Sequence, residues 1–163
     1  MSVVPVAAAY DWVLGVHVVG VVLAFGWTFA LPVMFAVAAR SDPRSLPLLH
    51  RIEYTTTRVL LNPALTVVLG AGIFMAIDGH HWGDFFVQWG IGAIVVLGGL
   101  AGSVMIPTAK RAEQAALEDL RAAGTGTPEP GEAYRALVRR LQLCGSVMWA
   151  FVVATILIMA AKP

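Results

Sequence analysis

Four long apolar runs organise the chain: residues 12–37, 59–77, 85–106 and 143–161, with polar connections between them. The first run is interrupted only by His17, Thr28 and Pro32. A hydrocarbon core about 30 Å thick is crossed by about 20 apolar residues in helical conformation, so each run is long enough to span a bilayer. The pattern predicts an all-α membrane protein, a single domain over residues 1–163, built as a four-transmembrane-helix up-down bundle.

The connections differ in kind. Residues 40–58 carry Arg40, Arg44, Arg51 and Arg58 with Asp42 and Glu53, and Leu46, Leu48, Leu49 and Ile52 predict a short amphipathic helix at the membrane surface. Arg51, Glu53 and Arg58 read as an interfacial charge cluster whose members pair with each other or with lipid phosphates. Residues 78–84, DGHHWGD, form a short turn without Lys or Arg. In residues 108–142 the stretch KRAEQAALEDLRAA continues the third helix beyond the membrane. GTGTPEPG then breaks it, and a new helix starts over 132–140 and leads into the fourth span. Asn62 and Pro63 suit the first turn of a helix, and Asn62, Thr66 and Gly70 make a mildly polar stripe expected to face the bundle.

Lipid supplies no hydrophobic force between helices, so small residues at four-residue spacing are expected to mark the packing faces. These are Gly20, Ala24 and Thr28 in the first span, Gly72 and Ala76 in the second, and Gly98 and Gly102, flanked by Gly99 and Ser103, in the third.

Composition agrees with the pattern. Hydrophobic residues make up 58% and charged residues 13% of the chain, and the mean hydropathy is +0.77. A soluble domain carries about 25% charged residues, so this composition argues against a soluble globule. Of the eleven Lys and Arg residues, four lie in the first connection and six in the third, with Lys162 the last. The positive-inside rule then places those two connections in the cytoplasm and both termini outside. Tyr10, Trp12, Trp82 and Trp89 fall at the outer interface, where amphipathic rings settle. No Lys or Arg precedes Arg40 and the run is too long for a signal-peptide core, so it is read as an uncleaved helix. The net charge of +1 gives no reason to expect nucleic acid as a partner. The expected partner is the bilayer itself, with a second copy or another membrane protein as the open alternatives.

Candidate chemistry is sparse. His17 is the one ionisable residue well inside a span, roughly 8 Å below the interface marked by Trp12. It shares a stripe with Gly20, Ala24 and Thr28, which turns it inward. Two readings stand: a neutral histidine hydrogen-bonded across the bundle, or a ligand to haem or copper or a proton-handling group. His80 and His81, beside Asp78 and Asp84, could join His17, Met75 and Met159 at the outer end as a metal site, since copper accepts imidazole and thioether ligands. The bland reading of the His80–His81 pair is a solvated turn. Cys144 is the only cysteine, which excludes an intrachain disulfide. No phosphate loop, nucleophile elbow or zinc-protease helix is present. No carboxylate lies within a span, which weighs against a proton-coupled carrier.

Three segments carry a family likeness: YDWVLGVHVVGVVLAFG, the turn GHHWGD, and LVRRLQLCGSVMWAFVVATILIMAAKP. Together they resemble the bacterial membrane proteins grouped as domain of unknown function 2269, across nearly the whole length. The likeness rests on His17, on Trp82-Gly83-Asp84 and on Lys162-Pro163. It implies a small four-helix protein of the bacterial inner membrane without an established activity. The segment Val16-His17-Val18-Val19-Gly20 is also similar, more distantly, to the copper-resistance D-like domain and to the bacterial membrane protoporphyrinogen oxidase. The oxidase's embedded basic residues have no counterpart here. The functional expectation is a non-catalytic or accessory membrane protein. The alternative is a redox or transport protein holding haem b or copper through His17.

Overall fold

The computed structural model describes residues 6–162, all of them helical or in short connections. The first helix, α1, runs Val6–Ser41 without a break, passing through Pro32. A single turn of tight helix at Pro43–Ser45 leads into α2, Leu46–Thr56. A widened π-type turn over Thr57–Leu61 joins α2 to α3, Asn62–Asp78. After the turn come α4, Phe85–Leu100, a second π-type turn over Ala101–Met105, and α5, Ile106–Ala123. The last helix, α6, covers Glu132–Ala161. Four continuous helical stretches are thus long and apolar enough to cross a membrane. Met1 to Pro5 and Pro163 are outside the described residues.

The two π-type turns have one cause. Each ends on the residue before a proline: Asn62 N–H bonds Thr57 O ahead of Pro63, and Ile106 N–H bonds Ala101 O ahead of Pro107. A proline inside a helix has no N–H to give, and its ring collides with the carbonyl four residues back. Opening one turn by a residue relieves the collision without breaking the rod. Asn62 and Pro63 thus occupy the first turn of α3, as expected, but α3 continues directly from the widened turn, so Leu61 before them is already helical.

The core is thin and made largely of alanine. Ala24, Leu61, Ala64, Leu65 and Ala101 form one buried cluster, where α1 meets both π-type turns. Gly20 seats α1 on α3: a Cβ there would come within 2.8 Å of Val68 Cγ2. The expected packing stripes of α1 (Gly20, Ala24) and α3 (Gly72, Ala76) do face neighbouring helices, with Ala24 and Ala76 buried. The α4 stripe needs correction. Gly98 reaches only Leu65, at 4.0 Å, and Gly99, Gly102 and Ser103 are exposed, the two glycines having nothing within 4 Å of an added Cβ. The stripe of Asn62, Thr66 and Gly70 also turns outward, because Thr66 Oγ1 bonds back to Asn62 O at 3.1 Å and Thr66 and Gly70 are exposed. The widened turn just before Asn62 shifts the faces of α3, and sequence spacing alone does not register that shift.

At the basic end a second core lies beyond the apolar stretches. Leu46, Ala109, Ala112, Ala116, Tyr134 and Leu141 pack α2, α5 and the start of α6 together. Leu46 of α2 points into this core, Leu49 is buried and Leu48 points out. The predicted surface helix is thus one wall of a small helical domain. Arg44 Nη2 ties it to the next connection by donating to Gly124 O at 3.0 Å and Gly126 O at 2.6 Å.

Candidate functional site

At the end opposite the basic core, a cavity of about 390 Å³ lies between α1, α3, α4 and α6. Its walls are almost wholly aliphatic and aromatic, with Val21, Phe25, Ile73, Val87 and Ile94 among them. Packing does not close it, because α1 and α6 stay apart along it. They meet lower down, where Phe29 stacks on Trp149 at 4.5 Å between centroids. Between them the lining residues Leu14, Val18 and Val22 of α1 and Ile156 of α6 are also exposed on the outer surface. The cavity is therefore open on the side between α1 and α6.

His17 is the polar feature of the deep wall. Its Nδ1 lies 3.0 Å from Val68 O, one turn below Gly72. A carbonyl only accepts, so Nδ1 carries the proton and Nε2 presents a lone pair. Nε2 has no hydrogen-bond partner among the described residues. The glycine at position 72 makes room for the ring: an added Cβ there would already touch His17 Cε1 at 3.5 Å. Tyr10 and Lys162 also line the cavity, and Thr155 on the α6 wall is engaged. Trp89 Nε1 donates to Thr155 Oγ1 at 3.1 Å, and Thr155 in turn donates to Phe151 O at 2.8 Å.

Of the sequence-derived candidates, His17, His81, Met75 and Met159 line this one cavity, and His80 does not. The turn explains the split. His81 N–H bonds Ala76 O at 2.9 Å and His80 N–H bonds Ile77 O at 3.2 Å, a Schellman closure of α3 that requires a left-handed residue between them. His80 occupies that position with φ of 57° and is turned to solvent. His81 swings toward the cavity rim, where its Nδ1 lies 2.7 Å from Asp84 Oδ2. Among the described residues no three His, Cys, Asp or Glu side chains gather as a metal-ligand set.

The second polar centre, at the basic end, was not among the sequence-derived candidates. His50 is 2% exposed. Its Nδ1 lies 3.1 Å from Glu53 Oε2 and its Nε2 lies 3.1 Å from Tyr134 Oη. Phe35 stacks on its face at 4.6 Å. With Glu53 ionised, Nδ1–H donates to the carboxylate and Nε2 accepts from the tyrosine hydroxyl. Tyr134 precedes the apolar stretch of α6. Burial first, then the charges of Glu53 and Asp119, push its pKa up to about 12. Beside it Arg51 Nε pairs with Glu113 Oε1 at 2.9 Å, which raises the arginine's pKa. The expected cluster of Arg51, Glu53 and Arg58 is thus resolved differently. Glu53 faces His50, Arg51 faces Glu113, and Arg58 is exposed. The centre joins α2 to the start of α6 through side-chain hydrogen bonds. The spacing Leu46, Leu49, His50, Glu53, Thr57 was the available signal, since it is a helical burial stripe. Its polar members disguised it.

No family model, curated protein or solved structure matches this chain.

Proposed function

We propose that this chain is a non-catalytic binding protein of the bacterial inner membrane, with its basic end in the cytosol. In this reading it takes a largely apolar, membrane-dissolved ligand into the cavity, and His17 Nε2 is the deep polar contact. One observation carries the reading: an imidazole fixed by Val68 O leaves a lone pair unpartnered on the wall of an apolar cavity that is open between α1 and α6. Ligand sites have this composition, apolar walls with a few placed polar groups, and range over roughly 300–1,000 Å³. The ligand must then offer something that takes a lone pair, either a hydroxyl or a metal centre. The four helices long and apolar enough to cross a membrane support the membrane part of this reading.

Haem b is the second reading, and the thioethers of Met75 and Met159 on the same cavity favour it. A backbone carbonyl holding Nδ1–H is the usual support of a metal-bound histidine and strengthens Nε2 as a donor. His17 would hold the iron, and the apolar walls would keep water from it. Bound haem would supply one-electron chemistry. A copper ion is the third reading, since His17, Met75 and Met159 are donor types copper accepts.

The test uses protein purified in mild detergent from the native membrane. Extraction and mass spectrometry would compare wild type, His17→Ala and Gly72→Leu, the last filling the space beside the imidazole. A molecule enriched with wild type and lost from both variants is the expected result. A Soret band lost in His17→Ala would decide for haem, and stoichiometric copper lost in the same variant would decide for copper. Extracts identical across the three proteins, with no chromophore and no metal, would overturn the proposal.

A further inference from the structure

Two carboxylates at the basic end are turned inward, while Asp42, Glu118, Glu129 and Glu132 are exposed. Glu53 and Glu113 are 6% and 8% exposed and are paired with His50 and Arg51. Asp119 Oδ2 accepts the Gly131 N–H at 2.8 Å. Arg40, Arg58, Lys110, Arg111, Arg135, Arg139 and Arg140 are all exposed, and none has an ion-pair partner among the described residues. Glu53 and Glu113 are thus turned inward and paired, whereas these seven cations face outward without an ion-pair partner among the described residues.

Depth gives the outward cations a meaning. At 1.5 Å per helical residue, Arg139 and Arg140 lie roughly 5–6 Å below the apolar stretch that begins at Leu143. Lys110 and Arg111 lie roughly 6–8 Å beyond Ile106, and Arg58 adjoins Val59. The headgroup layer of one leaflet is about 5–8 Å thick. By this depth Arg58, Lys110, Arg111, Arg139 and Arg140 fall within the phosphate layer, and Arg135, roughly 12 Å from Leu143, lies just beyond it. Arg135 and Arg139, one helical turn apart, share a shallow groove floored by Ala133 and Ala136, whose short side chains leave both guanidinium groups reachable. Glu132, at the end of the groove away from the membrane, is its one carboxylate.

We infer that the groove on α6 between Arg135 and Arg139 is a binding site for the headgroup of an anionic phospholipid, with Arg140 beside it and the acyl chains lying along the apolar part of α6. The site is independent of the His17 cavity and survives if that reading fails. Bidentate guanidinium–phosphate bonds supply the affinity. A basic side chain at a membrane surface contributes about 1 kcal/mol, so losing one arginine weakens retention about fivefold.

The experiment reconstitutes the full chain in mixed phosphatidylglycerol–phosphatidylcholine nanodiscs, re-extracts it in mild detergent and measures the lipids retained by native mass spectrometry. Wild type is expected to retain phosphatidylglycerol in preference to phosphatidylcholine. Arg139→Gln should cut that preference about fivefold and Arg135→Gln/Arg139→Gln should abolish it, with unchanged circular dichroism. Arg121→Gln removes the same charge from the far end of α5 and should change nothing. The inference is overturned if retained lipid mirrors the bulk mixture, or if Arg121→Gln acts as strongly as Arg139→Gln. Displacement of the lipid by inorganic phosphate as readily as by phosphatidylglycerol would also overturn it, because the site would then be one for free phosphate.

Discussion

His50 Nε2 and Tyr134 Oη stand 3.1 Å apart across 84 residues of chain and fasten α2 to the start of α6. The bond closes a chain of three polar groups, because the other ring nitrogen of His50 is held by Glu53 at 3.1 Å. A buried network of this kind is stable only while every member is satisfied.

Removing its members should therefore cost unequally. Tyr134→Phe leaves one imidazole nitrogen without its donor, at about 1–3 kcal/mol. His50→Phe keeps the packing against Phe35 but strands the Glu53 carboxylate, and uncompensated buried charge costs about 3–5 kcal/mol. Denaturation in mild detergent should rank His50→Phe well below Tyr134→Phe. The double variant should be milder than the two single costs combined, with a coupling of about 0.5–3 kcal/mol. Additive costs would show that the three groups do not act together.

The same tyrosine predicts an alkaline limit to stability. Its pKa is raised to about 12 in the folded protein, against about 10 when exposed. Between those values the unfolded chain releases a proton that the folded chain keeps, so the folded state loses ground as pH rises. The contribution is complete below pH 10 and is lost progressively as the pH climbs through 10 to 12. It should amount to about 2 kcal/mol, and Tyr134→Phe should remove this part of the pH dependence. Melting temperatures of both proteins across pH 9–12 would check it. Parallel curves would contradict it.

Much of this architecture could be read from the sequence, and the exceptions share a cause. The four spans, the extension of the third helix beyond the membrane and the break at residues 124–131 follow from runs of like residues, which are local facts. So does the convergence of His17, His81, Met75 and Met159, since the expected up-down order puts them at one end. What escaped depends on partners distant in sequence or on a shift of helical phase. His50 looks like a surface residue until Tyr134 is brought to it. Thr66, Gly99 and Gly102 follow the packing pattern, yet the widened turns ahead of Pro63 and Pro107 accompany faces that spacing does not anticipate. Pro63 and Pro107 are visible in the sequence, but their effect on phase is not.

His80 offers a substitution that should stabilise the protein. It holds φ of 57° at the left-handed position of the α3 closure, where glycine is the usual residue because it has no Cβ to strain. The left-handed conformation costs an ordinary residue about 1–2 kcal/mol. His80→Gly should recover about 0.5–1 kcal/mol after the added freedom of the unfolded chain. It should leave ligand retention at His17 unchanged, because His80 does not line the cavity. A loss of bound ligand or metal in His80→Gly would instead place His80 in the site.

Trp27 and Trp89 form a matched pair for the cost of an indole N–H. Trp89 Nε1 donates to Thr155 Oγ1 at 3.1 Å and so bridges α4 to α6, whereas Trp27 Nε1 is buried without a partner. In a bilayer an unsatisfied donor has no water to turn to. Replacing each by phenylalanine removes similar apolar volume, so the difference between the two costs isolates the hydrogen bond. At Trp89 the substitution loses the packing and a bond, typically about 0.5–1.5 kcal/mol for the bond. At Trp27 it loses the packing but relieves a stranded donor, whose burial costs about 1–3 kcal/mol. Trp27→Phe should therefore be near neutral or stabilising, and Trp89→Phe should be the more damaging by at least about 1 kcal/mol. Thermal unfolding of the two variants in the same detergent measures that gap. Equal losses would mean that the Trp27 N–H finds a partner in the membrane, and a search for a polar group bound beside α1 would follow.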